Sequence, residues 1–239
     1  MPALDAIHLK SSTRLVSSLT LAERQAMHDL MTAHYEAVPW DRFEADLSAK
    51  DEVLLLHDMD ETLRGFTTLA WNPVGHLDEG DILFSGDTII DRRCWGTQEL
   101  VRAFCRRAGE WKAANGRRLF WFLISKGHRT YLYLPLFARR FHPHPENEET
   151  EWAGLAGRVA NRLFGESWKP EEGVIRFPES QGHLREEWVI GRDSNPWVHY
   201  FLECNPGYAR GEELVCFTEM DESNLRRGAL AAFREGIRP

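Results

Sequence analysis

Two arginines, Arg92 and Arg93, stand just ahead of a glycine, Gly96, where a helical pattern begins. The turn reads Asp91-Arg92-Arg93-Cys94-Trp95-Gly96-Thr97, and Gln98 opens the helix. The first amides of a helix lack internal acceptors and the dipole is positive there, so such a terminus attracts anions. A permanent cation and a flexible backbone turn at the same point suit a diphosphate. Arg92, Arg93, Cys94, Trp95, Gly96, Thr97 and Gln98 are therefore the expected binding turn. Cys94 lies where a thiol pKa can fall, yet no base is identifiable beside it to make it a nucleophile. His142-Pro143-His144 reads as a surface loop, and no metal is expected. The sequence carries no Gly-x-Ser-x-Gly, phosphate loop or HExxH.

The elements that must hold this turn are an apolar strand at 82–90, a helix from Gln98 to about Ala114 and a second apolar strand at 118–124. A helix of that length between two strands implies a right-handed crossover and a parallel pair. Gly86 interrupts the first strand, which suggests a bulge or a close backbone approach. Leu100, Phe104, Ala108 and Trp111 share one helix face, and Asn115-Gly116 closes the helix.

Upstream, residues 5–16 read as a strand, and Thr20 with Glu23 as a capping box opening a helix to about Tyr35. Pro39 suits the first turn of a shorter helix carrying Phe43 and Leu47. Residues 53–57 and 63–71 read as an antiparallel hairpin. Downstream, 129–137 is a short or broken helix ending near Pro135, and 142–150 a polar linker. Residues 151–164 are helical by spacing. Strands are expected at 174–177, 188–190, 198–202 and 214–218, and a last helix at 224–235. The division is a first domain at 1–145 and an extension at 146–239. That extension is too rich in aromatics for a disordered tail and should pack on the first domain.

Composition narrows the classes. The net charge is −8, which argues against general nucleic-acid binding. Residues 92–140 nonetheless hold 12 Lys/Arg against two acids, a basic island that suits a local polyanion. Four scattered cysteines form no CxxC, so reduced thiols in the cytoplasm are the simplest reading. No apolar run opens the chain and none approaches a membrane span.

The order strand, two helices, three strands, basic turn, helix, strand, helix over 5–141 resembles the GCN5-related N-acetyltransferase (GNAT) superfamily. So does Arg93-Cys94-Trp95-Gly96-Thr97-Gln98, set against the family's Gln/Arg-x-x-Gly-x-Gly/Ala turn. Arg93 and Gly96 match; Gln98 departs, and its side chain is expected to crowd the phosphate. The resemblance implies a mixed-sheet α/β acyltransferase fold whose turn amides bind the coenzyme A pyrophosphate. It implies acetyl-CoA or another acyl-CoA as co-substrate, a small-molecule amine as acceptor and direct attack of that amine on the thioester. An acyl carrier protein is an alternative donor, and a homodimer is left open.

Such chemistry needs a base for the amine and an acid for the leaving thiolate. The family's acid is often a tyrosine just after the second parallel strand, where Tyr131 and Tyr133 lie. Spaced by two on a helix, at most one should face the thiol. Asp87, beside the bulge, ranks first as base, ahead of His57 and Glu79. Two alternatives share the fold. One is an N-acyl amino acid or acyl-homoserine-lactone-type synthase with a long acyl donor under an aromatic lid. The other is a non-catalytic sensor of an acyl or CoA ligand.

Overall fold

The computed structural model describes residues 8–146, 150–178, 183–184 and 195–238. The chain opens with β1 (Lys10–Leu15), α1 (Leu21–Thr32), a short β2 (Tyr35–Glu36) and α2 (Trp40–Ser48). The hairpin β3 (Glu52–His57) and β4 (Leu63–Trp71) leads to β5 (Asp81–Ile90), α3 (Glu99–Asn115) and β6 (Leu119–Ser125). Short helices α4 (His128–Tyr131) and α5 (Tyr133–Phe137) follow, then α6 (Thr150–Phe164). The rest holds β7 (Trp168–Lys169), β8 (Val174–Ile175), β9 (His183–Leu184), α7 (Pro196–Cys204), β10 (Glu213–Glu219) and α8 (Arg227–Ile237).

Eight strands form one sheet in the order β1-β3-β4-β5-β6-β10-β8-β7, and β2 pairs separately with β9. β5 and β6 run parallel, with Asp81 opposite Leu119 and Ser85 opposite Leu123. Every other described pairing of the eight-stranded sheet is antiparallel. This is the mixed α/β sheet expected of the GNAT-like order. The capping box at Thr20 and Glu23 forms as expected, and Gly116 ends α3 in the left-handed conformation.

Helices cover both faces. On one, Phe104, Cys105 and Ala108 of α3 pack with Phe233 of α8 against Leu83, Trp121 and Cys216 of the sheet. On the other, α6 lays Trp152, Leu155 and Val159 on Phe84, Phe120, Phe122 and Phe217, and α1 and α2 cover Val53, Leu55 and Phe66. The 15-residue helix α6 thus buries an apolar stripe, as its spacing requires.

Two expectations need correction or placing. Residues 198–202 are helical, within α7, because Asn195 caps Trp197 N with its side chain and Pro196 takes the first helical position. The strand expected at 188–190 lies outside the described residues.

The sheet does not stop at the point where the first domain was expected to end. β10 lies antiparallel on β6, with Phe217 opposite Phe122. Phe217 and Phe120 stack at 5.2 Å, and both are fully buried. Phe217→Ala should therefore cost about 3–5 kcal/mol, the usual loss for a buried phenylalanine. Urea denaturation followed by circular dichroism measures it; a loss below about 1 kcal/mol would mean that β10 does not sit in this core.

Candidate active site

β5 and β6 pair only as far as Ser85 and Leu123, although β5 continues to Ile90. The cause is local. Between Thr67 and Leu69 the register with β4 slips by one residue, leaving an extra residue on β5 around Gly86 and Asp87. Gly86 is required there, because a Cβ on it would stand 2.5 Å from Thr68 Oγ1 and 2.8 Å from Lys50 Cε. Trp121 Nε1 donates to Ser85 Oγ at 2.8 Å, pinning the two strands at the last paired position. Beyond that point residues 88–90 pair with β4, Gly86 and Asp87 form the bulge, and none of 86–90 pairs with β6.

Two clefts open where the strands part. The first has a volume of about 300 Å³. Trp95, Gly96, Thr97 and Gln98 wall one side and residues 127–130 the other, with Tyr133 and Leu136 beneath. Among the described residues no carboxylate lines it, whereas His34, His128 and Arg129 do. Gly96 has φ +91° and open space where a side chain would go, so the backbone lies bare to a ligand. The regular helical ladder of α3 starts with Arg102 N donating to Gln98 O, and Glu99 N is met by Thr97 Oγ1. Gln98 is exposed on the rim.

The second cleft, of about 130 Å³, opens on the other side of β5. Asp87, Asp46 and Glu213 line it together with Arg42 and Lys126, and aromatic rings make up much of the wall. Tyr35, Thr88, Ile89 and Thr130 line both clefts and so mark where they meet. A third, small hollow of about 20 Å³ lies beside Thr88, Val101 and Tyr133 and is lined by Phe104, Trp121 and Phe137.

The expected binding turn is brought together here, but its cations are not all turned to the cleft. Arg93 forks onto Asp91, with Nη2 2.6 Å from Oδ2 and Nε 3.1 Å from Oδ1. Arg64 binds the same carboxylate at 3.1 Å. These guanidiniums hold Asp91 far below the usual carboxylate range. Much of the basic island is spent the same way: Arg107 forks onto Glu52, Arg118 onto Glu219, and Arg117 reaches Asp81. Among the described residues, the Arg or Lys that lines the first cleft is Arg129, stacked 3.8 Å over the Trp95 ring. The sequence places it two residues before Tyr131 with no motif around it.

Cys94 is buried, and burial pushes its thiol pKa up with Asp91 adding to the effect, the reverse of an activated cysteine. The tyrosine pair separates as its spacing requires. Tyr131 is fully buried and donates to Pro143 O at 3.0 Å, facing neither cleft. Tyr133 lines the first cleft and the small hole, and burial raises its pKa. Glu79 is bound to Arg158 on a separate surface groove, and His57 lines neither cleft. Tyr35, which the sequence reading passed over, stands at the junction with Lys126 5.4 Å over its ring. Burial, then Asp87 and Glu213, push its phenol well above the ordinary value.

Asp87 has no hydrogen-bond or ion-pair partner among the described residues. Burial, then repulsion from Asp46, push its pKa up to about 7, with Glu213 adding and Lys50 and Lys126 opposing. His142 and His144 gather no further ligand, and no group of three or more His, Cys, Asp or Glu side chains that could hold a metal occurs among the described residues. No described helix is long and apolar enough to cross a membrane.

No protein-family model matches the chain, and no curated protein matches it. Among solved structures it is similar to a conserved Enterococcus faecalis protein of unknown function (13% identity, TM-score 0.40), over 55% of this chain and 33% of that one. It is also similar to the GNAT family N-acetyltransferase YhbS of Escherichia coli in complex with CoA (14%, 0.37), over 53% and 67%. A third is the spermidine/spermine N-acetyltransferase SpeG of Vibrio cholerae (12%, 0.37), over 88% and 94%.

The raised Asp87 pKa has a sign that can be checked. Between the ordinary aspartate value of 3.8 and about 7, the native protein holds a proton that the unfolded chain has released. Stability therefore falls as pH rises through that window and is level above it, as far as Asp87 is concerned. Asp87→Asn should raise the urea midpoint at pH 8 and change it little at pH 4. An equal shift at both pH values would show that the carboxylate is not strained by its surroundings.

Proposed function

We propose that the protein is an N-acyltransferase that moves a short acyl group from acyl-CoA to the amine of a small molecule. The observation that carries this reading is the junction at Tyr35, Thr88, Ile89 and Thr130. There a cleft with no carboxylate among its described lining residues meets one that is lined by them. An anionic donor and a cationic acceptor would each find a matching wall and meet at one point.

The first cleft fits the donor. The bare backbone at Gly96, the first turn of α3 and Arg129 would receive the pyrophosphate. The unpaired edge of residues 86–90 would pair with the amides of the pantetheine arm. The hole behind Thr88 has room for about one small group, which favours acetyl or a similarly short acyl chain over a long one.

Asp87 is the general base. As the carboxylate it takes the proton from the incoming ammonium, and the neutral amine attacks the thioester carbonyl. A C–N bond forms and the C–S bond breaks. Tyr133, kept protonated by burial, gives its proton to the departing thiolate, and its phenolate takes back the second proton that the acylated nitrogen sheds. Holding both partners at the junction removes the entropic cost of their encounter.

The test is thiol release with acetyl-CoA and a panel of small amines, together with calorimetric titration of CoA. With Asp87 as base, kcat/KM should rise with pH, level off above about 7 and fall at least a hundredfold in Asp87→Asn. Gly96→Val and Arg129→Ala should each weaken CoA by about tenfold or more, or ~1.4 kcal/mol, and Arg93→Ala by much less, since Asp91 already holds that cation. CoA that fails to bind at millimolar concentration would end the reading. Tight CoA binding with no turnover on any amine would favour a sensor.

A further inference from the structure

We propose that the second cleft selects a small arylalkylamine, with its ring among phenylalanines and its ammonium against Asp87. This rests on the acyl-transfer reading and names the acceptor class for it. The C-terminal half contributes part of the cleft, since Phe164 ends α6, Phe177 follows β8 and Glu213 opens β10. Phe164 meets Phe84 edge to face at 6.2 Å and Phe177 at 5.8 Å. Met31 of α1, Phe43 of α2 and Val38 of the segment just before α2 line another side. The volume, about 130 Å³, is of the order that holds a single benzene ring in an apolar cavity.

The charges point the same way. Asp46 is held by Lys50 at 2.8 Å and Glu213 by Lys126 at 3.4 Å. Asp87 is left as the lining carboxylate with no ion-pair partner among the described residues. One ammonium can therefore be matched. A polyamine would bring further ammoniums against phenyl rings and beside Lys126 and Arg42, where nothing compensates their lost hydration. A monoamine on a ring has its charge matched by Asp87 and its body by the aromatic wall.

The experiment titrates 2-phenylethylamine and spermidine into the full chain at pH 8, with and without CoA. Phenylethylamine should bind saturably and at least tenfold more tightly than spermidine. Asp87→Asn should weaken it at least tenfold. So should Val38→Trp, which fills the cleft, while leaving CoA binding unchanged. A urea transition for each variant verifies that it is folded. The proposal is overturned if spermidine binds as tightly, if folded wild type shows no saturable phenylethylamine binding at millimolar concentration, or if both variants bind it normally. If CoA fails to bind but the amine behaves as expected, the cleft assignment stands and the acyl-CoA reading falls.

Discussion

The parting of β5 from β6 after Ser85 is the constraint on which the rest depends. Adjacent parallel strands normally stay paired, since separating them strands donors and acceptors. Here the separation is localised by an extra residue around Gly86 and Asp87 and anchored by the Trp121–Ser85 hydrogen bond at its root. Everything of chemical interest borders the resulting gap: the α3 terminus, Arg129, Tyr133, Asp87 and Tyr35. The bulge also accounts for the strained state of Asp87. A residue in regular β register would sit in the ladder, whereas the extra one is turned among Asp46, Lys50, Lys126 and Glu213.

Charge organises the molecule less by where cations are than by which of them are already matched. The basic stretch at 92–140 suggests a polyanion site some fifty residues long, yet bidentate pairs consume Arg107 and Arg118 and a triad around Asp91 consumes Arg93. These contacts tie α3 to β3 and β6 to β10, so they serve the architecture. Among the described residues, the basic side chains that line the first cleft are the Arg129 guanidinium, stacked on Trp95, and the His34 and His128 imidazoles. Local excess of a charge in sequence is therefore a poor guide to free charge in space when the partners lie elsewhere in the chain, as Glu52 and Glu219 do.

The features legible in the sequence were those written in local residues. The crossover needs only two apolar runs and a helical spacing between them; the bulge is announced by one strand glycine; the caps of α1 and α3 are spelled by Thr20, Glu23 and Gly116. The turn at 92–98 was legible as a turn for the same reason, including its glycine at φ +91°. Arg129 was not, because its importance comes from Trp95, more than thirty positions earlier. Nor was the second cleft, whose walls come from residues 31 to 213 and whose character depends on Lys50 and Lys126 occupying two of its three acids. Val198 and its neighbours looked like a strand because four of five residues are apolar or aromatic; the decisive signal was the Asn195-Pro196 pair just ahead of them.

The seating of β10 beside β6 sets an order of events during synthesis. When Ser125 has left the ribosome, the strand that covers its edge is still some ninety residues away. At the usual 5–20 residues per second that interval is about 5–20 s. For that time β6 presents an unpaired edge flanked by Trp121, Phe120 and Phe122, the kind of surface that recruits other strands. The nascent chain thus meets the cell half-sheeted, and its yield depends on what shields that edge until residues 213–219 arrive.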